Sequence, residues 1–411
     1  MIDEATVLPP PRAEPARAEL LPRFAGPDRG YSAEDVASRR RWVQERCGAD
    51  LTMLGEFAFP AESMRGNIEN PIGAVQVPLG VAGPLLVRGE HAEGIFFVPM
   101  ATTEGALVLS YERGALALTR TGGATVRIYV DENRITPVFV FETIEEAHAF
   151  ARDLPQRFEA VRAEAEATTS HGRLLRLEPL PVGRRVMVHF SFSTGDASGM
   201  NMIAKATDRA CRFLVENSTA VRFYLFSAAD SEKHASSSLF LGGKGKKVVA
   251  GARLPERAVR MYLGTTPAQI LDLWHSNVLA QFHEGATTCN AHFANGLAAL
   301  YIACGQDVAN ITNAAVGLLQ FEVTAEGDLF ASVTLPSLTL GTVGGGTSQG
   351  TAHACLEMMG CVGTGKARKL AEITAAYLLA GEISLMAAIA AGGLVGAHEA
   401  YGRNRPEKKA G

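Results

Sequence analysis

One carboxylate, Glu104, stands in a run of small and apolar residues that is typical of the start of a helix. The run over 98–114 reads VPMATTEGALVLSYERG; its threonine pair can cap the helix, and a glycine pair at 122–123 can end it. A glutamate in a first turn complements the helix dipole and usually faces solvent. If the apolar neighbours bury it instead, burial favours the protonated acid, and Glu104 becomes a proton donor at neutral pH. The pattern predicts a helix over about 100–122 and leaves both readings of Glu104 open.

A second dense patch covers residues 290–307, NAHFANGLAALYIACGQD. His292 and Asn295 lie three residues apart, so they share one face of the predicted helix. Asp307 follows the helix end, where the helix dipole disfavours a carboxylate that has no partner. Asp307 is therefore either a surface turn residue or a buried carboxylate that pairs with a lysine or a glutamate.

Two glycine-containing turns are candidates for binding phosphate groups. The turn over 195–202, GDASGMNM, follows a predicted strand and opens a helix, whose N-terminus can receive the pyrophosphate of a dinucleotide. The loop over 341–350, GTVGGGTSQG, lets backbone amides approach an anion, although it matches no common nucleotide-binding signature. For each sequence the alternative is a simple turn that binds no phosphate. In the first turn, Asp196 would then be the helix cap.

Lysine and histidine side chains complete the candidate set. Lys233 lies among small polar residues, where an ammonium can polarise a carbonyl or remain a solvated loop side chain. The run over 243–247, GKGKK, is expected to be a basic loop. His398 ends the glycine-rich stretch 392–398, whose flexibility suits a closing flap. No spacing typical of a metal site occurs in the sequence.

The elements that must position these residues change in character along the chain. Residues 1–30 are expected to be loosely attached, and a capped helix is expected over 32–47. From 125 to 217 the pattern predicts a β-β-α-β-β-α unit, with one amphipathic helix over 143–168, inserted into a larger domain. A polar connection over 227–247 leads back to that larger domain of alanine-rich helices and short strands.

Composition excludes several classes of function. The 411 residues are 47% hydrophobic and 20% charged, as in globular proteins long enough for two or three domains. The net charge of −4 argues against nucleic acid or an anionic membrane as the main partner. Six scattered cysteines without a Cys-x-x-Cys pair are expected to be reduced core thiols in a cytoplasmic protein, and no signal peptide is expected.

Taken together, the motifs resemble the catalytic region of the 3-hydroxy-3-methylglutaryl-coenzyme A (HMG-CoA) reductase family. The resemblance covers about residues 45–405 and is closer to the branch of eukaryotes, archaea and some bacteria. The segments that carry it are ENPIG at 69–73, GVAGP at 80–84, PMATTEG at 99–105, GDASGMNM at 195–202, NAH at 290–292, IACGQD at 302–307, GTVGGGT at 341–347 and LAGEISLM at 379–386.

The resemblance implies an α+β fold in which a small ferredoxin-like α/β nucleotide domain is inserted into a large mixed helix and sheet domain. The small NADP(H)-binding domain is expected at 125–226 and the large domain that binds the CoA thioester at 46–124 and 227–395. A disordered or helical segment is expected at 1–45, and a flap and tail at 396–411. The resemblance also implies NADPH as the cofactor, with NADH as the alternative, and a homodimer or dimer of dimers with active sites at the subunit interface.

Roles for individual residues also follow from the resemblance. The catalytic residues are expected to be Glu104, Lys233, Asp307 and His398. The cofactor-binding residues are expected to be Ser170, Asp196, Met200, Asn201 and Arg403. The substrate-binding residues are expected to be Arg113 and His292 on the coenzyme A side, and Arg134, Ser227, His234, His275 and Asn295 on the acyl side.

The chemistry of a thioester reduction needs these residue types. The first hydride creates an oxyanion that the Lys233 ammonium can stabilise. A protonated His398 can neutralise the departing coenzyme A thiolate, and a protonated Glu104 can supply the proton that the final alkoxide needs. We therefore expect a four-electron reduction of HMG-CoA to mevalonate with two NADPH.

Two substitutions leave the identity of the acyl group undecided. His234 and His275 stand where the family has lysines, so titratable imidazoles replace permanent cations. Ser170, His171 and Gly172 replace the family's Ser-Arg-Phe at the nucleotide site. The alternatives are the same reduction of a different acyl-CoA, or a non-catalytic protein that binds coenzyme A, which would not need the catalytic set.

Overall fold

The structure is a computed structural model that describes residues 30–393. These residues fall into two compact units, 30–76 and 77–393. The first unit contains helix α1, Ala33–Cys47, followed by two short 3-10 helices, Thr52–Gly55 and Ala61–Met64. The predicted helix over 32–47 is confirmed, because Ser32 caps α1 and forms a reciprocal capping box with Asp35.

The second unit is built on a ten-stranded sheet. Its strands are β1 Leu79–Arg88, β2 Glu93–Ala101, β3 Ala124–Ile135, β4 Val138–Val140, β5 Arg173–Val182, β6 Arg185–Ser193, β7 Arg222–Tyr224, β8 Gly245–Leu254, β9 Leu318–Val323 and β10 Leu329–Leu338. The main path runs β7-β4-β6-β3-β8-β10-β9, with β1 and β2 joined beside β3, and β5 beside β6. Strand β3 is the junction, because its first part pairs with β8 and its last three residues pair with β6.

Helices cover this sheet around two separate groups of buried apolar side chains. The helices of the second unit are α2 Leu107–Arg120, α3 Ile144–Asp153, α4 Phe158–Glu166, α5 Met200–Glu216, α6 Glu256–Ala258, α7 Pro267–His283, α8 Phe293–Ala303, α9 Ile311–Ala314, α10 Gly350–Met358 and α11 Ala367–Ala390. One group of apolar side chains lies within 135–220, and the other combines residues from 82–126 with residues from 248–387. The expected α+β class is confirmed, whereas the expected domain boundaries stay a prediction.

Two predicted helices have different bounds in the structure. The amphipathic stretch 143–168 is not one helix: α3 and α4 are separated by a 3-10 turn, Leu154–Arg157, in which Pro155 has no amide hydrogen for a continuous α-helix. The helix expected over 100–122 begins only at Leu107. It is preceded by Ala106 in the left-handed conformation, with φ of 68°, and Glu104 therefore lies in the loop before α2.

The long helix α11 organises the larger group of apolar side chains. It is the one described helix that is long and apolar enough to cross a membrane by length and composition, and 78% of its most apolar window is buried inside the structure. Its fully buried Glu372 accepts hydrogen bonds from the backbone amides of Glu90, His91 and Ala92, in the turn between β1 and β2. A buried carboxylate thereby fixes one end of the β1–β2 hairpin against α11.

Helices α2 and α11 approach most closely at Gly114. A Cβ atom added there would lie 1.9 Å from the backbone oxygen of Ala380. Helix propensity alone favours Gly114→Ala by about 1 kcal/mol, whereas overpacking of this kind costs about 1–3 kcal/mol or more. We therefore expect Gly114→Ala to lower the free energy of unfolding measured by urea denaturation. The matched control on the same helix is Glu112→Ala, at an exposed position, which should change it by less than about 0.5 kcal/mol; a stabilised Gly114→Ala protein would contradict the close approach.

Candidate active site

Lys233 and Asp307 form an ion pair, with 2.9 Å between Nζ and Oδ2. Both side chains are about half exposed, at 45% and 48%. The hydrogen bond that Lys233 donates to Asp307 raises the pKa of Lys233 and outweighs the lowering effect of partial burial, so the side chain stays an ammonium across the physiological range. Asp307 has a lysine partner, as in one of the two readings of the sequence, but it is exposed, as in the other.

The turn that carries Lys233 has an unusual backbone. Ala228, Ser231 and Lys233 have φ values of 61°, 58° and 57°, in the left-handed region that disfavours residues with a Cβ. The backbone amide of Lys233 donates to Oδ1 of Asn313 at 3.3 Å, and the hydroxyls of Ser231 and Ser238 lie 3.1 Å apart. Tertiary contacts therefore hold a turn that its local sequence does not favour.

Glu104 forms a second pair, with Asn295. The Asn295 side-chain amide lies 3.1 and 2.8 Å from the two carboxylate oxygens, and the Glu104 backbone amide donates to Thr102 Oγ1 at 3.0 Å. Glu104 is exposed in the described chain taken by itself, which corresponds to the solvent-facing one of the two readings that the sequence left open. The loop position explains this, because a residue before the helix does not share its buried face.

Helix α8 separates the two pairs. Asn295 lies in its first turn, whereas Asp307 follows its last turn and caps the next 3-10 helix by accepting from the amide of Ala309. Eleven helical residues span about 16 Å. Of the expected catalytic residues that the structure describes, Lys233 and Asp307 therefore lie together at one end of α8, and Glu104 lies with Asn295 at the other.

Arg134 and Ser227, expected on the acyl side, meet near the end of β3. Arg134 is 6% exposed, and its Nε has no hydrogen-bond partner among the described residues. A Cβ on Gly243 would lie 2.9 Å from Nη1 of Arg134, so a larger residue there would displace the guanidinium. Ser227 Oγ donates to the Thr136 carbonyl at 2.6 Å. A buried guanidinium with an unused donor is suited to bind a carboxylate.

Residues 243–247 were expected to form a basic loop, and this prediction is wrong for two of the lysines, which are buried. Lys244 is fully buried against Glu232, and Lys246 is 3% exposed, with its Nζ 3.0 Å from Oδ1 of Asp131. Burial would raise the pKa of Asp131, but Lys246 and Arg368 outweigh it and lower that pKa below its usual value. Lysines in a charged run are buried here because carboxylates from other strands and turns neutralise them.

Expected residues on the coenzyme A side are fixed by helix α11. The buried Glu382 accepts from the backbone amides of Ala291 and His292 and lies 3.0 Å from Nδ1 of His292. Nε2 of His292 is buried without a partner in the described chain. Arg113 donates to the hydroxyl and the carbonyl of Ser384, at 3.0 and 2.5 Å. Helix α11 thereby orients the side chains of both Arg113 and His292.

In the expected cofactor turn, Asp196 binds a different helix from the one it precedes. Its carboxylate accepts from the backbone amides of Gly365 and Ala367, at 2.7 and 3.0 Å, and so caps α11. Helix α5 begins at Met200 after Gly199, with no side-chain cap on its first-turn amides. A helix N-terminus without a side-chain cap is suited to a pyrophosphate.

The remaining expected residues that the structure describes have exposed side chains. Ser170 is exposed, with its hydroxyl 2.8 Å from Nδ1 of His171, and Asn201 is exposed on α5. His234 is exposed and donates from Nδ1 to the Glu232 carbonyl, at 2.6 Å. His275 is exposed on α7, with its ring centroid 5.3 Å from that of Trp274. The expected roles of His398 and Arg403 fall outside the described residues.

Sequence reasoning missed Lys244, Asn313 and Glu382. The glycines on both sides of Lys244 were the available sequence signal of a tightly packed segment. In the structure, their φ values are 90° and 80°. Asn313 and Glu382 carry no local signal, because their partners lie 80 and 90 or more residues away in the chain.

The chain is similar to proteins of one family over nearly its whole length. The family described as hydroxymethylglutaryl-coenzyme A reductase matches residues 35–403. The 3-hydroxy-3-methylglutaryl-coenzyme A reductase of Methanocaldococcus jannaschii is 41% identical over 373 residues, covering 89% of this chain and 92% of that protein. The Aeropyrum pernix protein of the same name is 43% identical over 383 residues, covering 91% of each.

A solved structure has the same fold. The class II 3-hydroxy-3-methylglutaryl-CoA reductase from Streptococcus pneumoniae, bound to NADPH in open conformations, superposes with a TM-score of 0.66. The match covers 86% of both chains at 17% sequence identity.

Replacing Asp307 with asparagine removes the carboxylate that raises the pKa of Lys233. That pKa should fall, and a fall of about one unit makes the amine react roughly tenfold faster with an acylating reagent near pH 9. Mass spectrometry after timed labelling measures the rate at Lys233. Lys369, whose ammonium lies over the Phe96 ring, is the internal reference. An unchanged Lys233 rate in Asp307→Asn would show that the ion pair does not control this amine.

Proposed function

The chain belongs to the hydroxymethylglutaryl-coenzyme A reductase family, and we propose that Lys233, Asp307 and Glu104 are its catalytic residues. The family reaction is the reduction of HMG-CoA to mevalonate, with two NADPH as the source of hydride. The observation that supports these roles most strongly is the Lys233–Asp307 ion pair, because it supplies an oriented, permanently charged donor.

Lys233 stabilises the negative charge that develops on the carbonyl oxygen. Hydride addition to the thioester carbon turns this oxygen into an oxyanion, and an ammonium held in place needs no reorganisation to stabilise it. Asp307 orients the ammonium and keeps it protonated. Collapse of the hemithioacetal releases the coenzyme A thiolate, and we assign its protonation to His398 on the basis of the family motif.

Arg134 binds the distal carboxylate of the acyl group. Its guanidinium is buried and keeps an unused Nε donor, and a charge-assisted hydrogen bond to a carboxylate would satisfy it. Ser227 and His234, on the Lys233 turn, are the neighbouring acyl-side groups. Arg113 and His292, held by α11, are assigned to the coenzyme A side.

NADPH fits the turn before α5. The first-turn amides of this helix have no side-chain cap, and the helix dipole favours the pyrophosphate there. Asp196 shapes the turn through its hydrogen bonds to the start of α11, while Met200, Asn201 and Ser170 line the route of the nucleotide. We include Arg403 among the cofactor contacts on the basis of the family motif alone.

Glu104 and Asn295 act in the site of a partner subunit. On one chain they lie at the opposite end of α8 from Lys233 and Asp307, about a helix length away. A homodimer that places one end of α8 against the other end of its partner's helix would complete two sites at once. In that interface the exposed Glu104 would be desolvated, which favours the protonated acid that the last step needs.

We assign this enzyme to the cytoplasm as a soluble homodimer. All six cysteines are free thiols and four of them are buried, as suits a reducing compartment.

Purified protein should oxidise two NADPH for each HMG-CoA consumed, followed by absorbance at 340 nm. Lys233→Ala should lower kcat by at least about a hundredfold, since it removes the main oxyanion donor. Lys247→Ala, on strand β8 and not among the assigned site residues, should retain wild-type turnover. Absence of HMG-CoA-dependent oxidation by the wild-type protein at high concentration would refute the proposed function.

A mixed-dimer experiment tests the shared site. Glu104→Gln and Lys233→Ala chains, each inactive alone, are co-expressed with different tags. Hybrid dimers would contain one intact site, and a random mixture should recover about a quarter of wild-type activity, since half the dimers are hybrids with one of two sites working. Recovery of no activity in purified hybrids would mean that each site uses Glu104 and Lys233 of the same chain.

A further inference from the structure

A fully buried lysine, Lys244, lies beneath the turn that carries Lys233. Its relative exposure is 0%, and its Nζ pairs with the carboxylate of Glu232, the residue directly before Lys233. Its Nζ also lies 3.3 Å from the Arg134 carbonyl oxygen and 3.3 Å from Sδ of Met200. Lys244 was expected in a basic loop, and the proposed reaction assigns it no role.

The partners of Lys244 account for its whole donor capacity. An ammonium has three N–H donors, and here a carboxylate, a carbonyl and a thioether sulfur each lie within reach of it. Each partner comes from a different part of the proposed site: the Lys233 turn, the acyl-side strand β3 and the first residue of α5. The ammonium is therefore a single buried junction of three segments.

The contact between Lys244 and Glu232 constrains the backbone at Lys233. Glu232 points inward to Lys244, while the next side chain, Lys233, points to Asp307. The backbone between these two anchors is in the left-handed conformation at Lys233, which costs about 1–2 kcal/mol without tethers. The amide of Glu232 is also bound, by Oδ1 of the buried Asp230 at 3.1 Å.

We propose that Lys244 is a positioning residue, which sets the place of the Lys233 ammonium and couples it to the start of α5 without touching the substrate. The expected change in kcat rests on the proposed function, whereas the expected placement of the Lys233 ammonium does not. Lys244→Met keeps the length of the side chain and removes the charge. It should lower kcat by about 10- to 100-fold, because a displacement of about 1 Å of a catalytic group has an effect of that size. KM for HMG-CoA should change by less than about threefold.

The double variant Lys244→Met with Glu232→Gln separates positioning from simple stability. The single variant leaves the buried Glu232 carboxylate without its cation and is expected to be less stable, whereas the double variant removes that carboxylate charge as well. The proposal predicts that the double variant regains thermal stability but keeps a low kcat. Regained kcat together with regained stability would overturn it, since the junction would then serve stability alone. Lys247→Met, on the same segment of chain but outside the buried pair, is the matched control for the loss of a lysine.

Labelling of Lys233 gives a readout that does not depend on turnover. If Lys244 holds the turn, its loss loosens the Lys233–Asp307 pair, the pKa of Lys233 falls, and acylation near pH 9 should be about three- to tenfold faster than in wild type. A wild-type labelling rate in both Lys244 variants would overturn the proposal even if the protein reduced HMG-CoA. Failure of wild-type turnover would instead refute the proposed function, while the labelling result would still decide the role of Lys244.

Discussion

The ion pair between Lys233 and Asp307 is the contact on which the chemistry of this protein depends. An ammonium stabilises an oxyanion only if it is charged and already in place, and the Asp307 carboxylate provides both conditions at 2.9 Å. The pair joins two segments that are 74 residues apart, the strained turn after β7 and the turn after α8. Its geometry is therefore a product of the whole sheet and helix arrangement, and not of either segment alone.

Buried carboxylates hold the framework around that pair. Glu372 and Glu382, both on α11, each accept backbone amides from a distant turn, and Glu382 also binds the His292 ring. Each is fully buried, so its negative charge requires these donors. The same rule applies at Lys244, where a buried cation requires its three partners. Charges that look like surface residues in the sequence thus set the positions of the elements that carry the site.

Local sequence patterns predicted those elements that depend on residues close to one another in the chain. Ser32 predicted the start of α1 as a possible cap, because helix capping depends only on residues within one turn. The motifs also predicted the family and the fold class, and they left a lysine partner for Asp307 as one of several alternatives. The start of α2 was predicted too early because Ala106 adopts a left-handed conformation that is not encoded by its type. Lys244 was expected in a basic loop, and its burial was not predicted, because its neutralising partner Glu232 lies twelve residues earlier and on another segment. The helix bound by Asp196 could not be predicted, because it begins about 170 residues later in the chain.

The central claim is that Lys233 and Asp307 of one chain work with Glu104 of a second copy. A crystal structure of the protein with HMG-CoA tests it most directly, through the distance from Lys233 Nζ to the nearest Glu104 carboxylate. We predict that Glu104 from the partner subunit lies within hydrogen-bonding distance of Lys233 or of the thioester oxygen, at about 3 Å. A site in which the partner's Glu104 lies beyond about 8 Å, or in which Lys233 has left Asp307 for solvent, would contradict that claim.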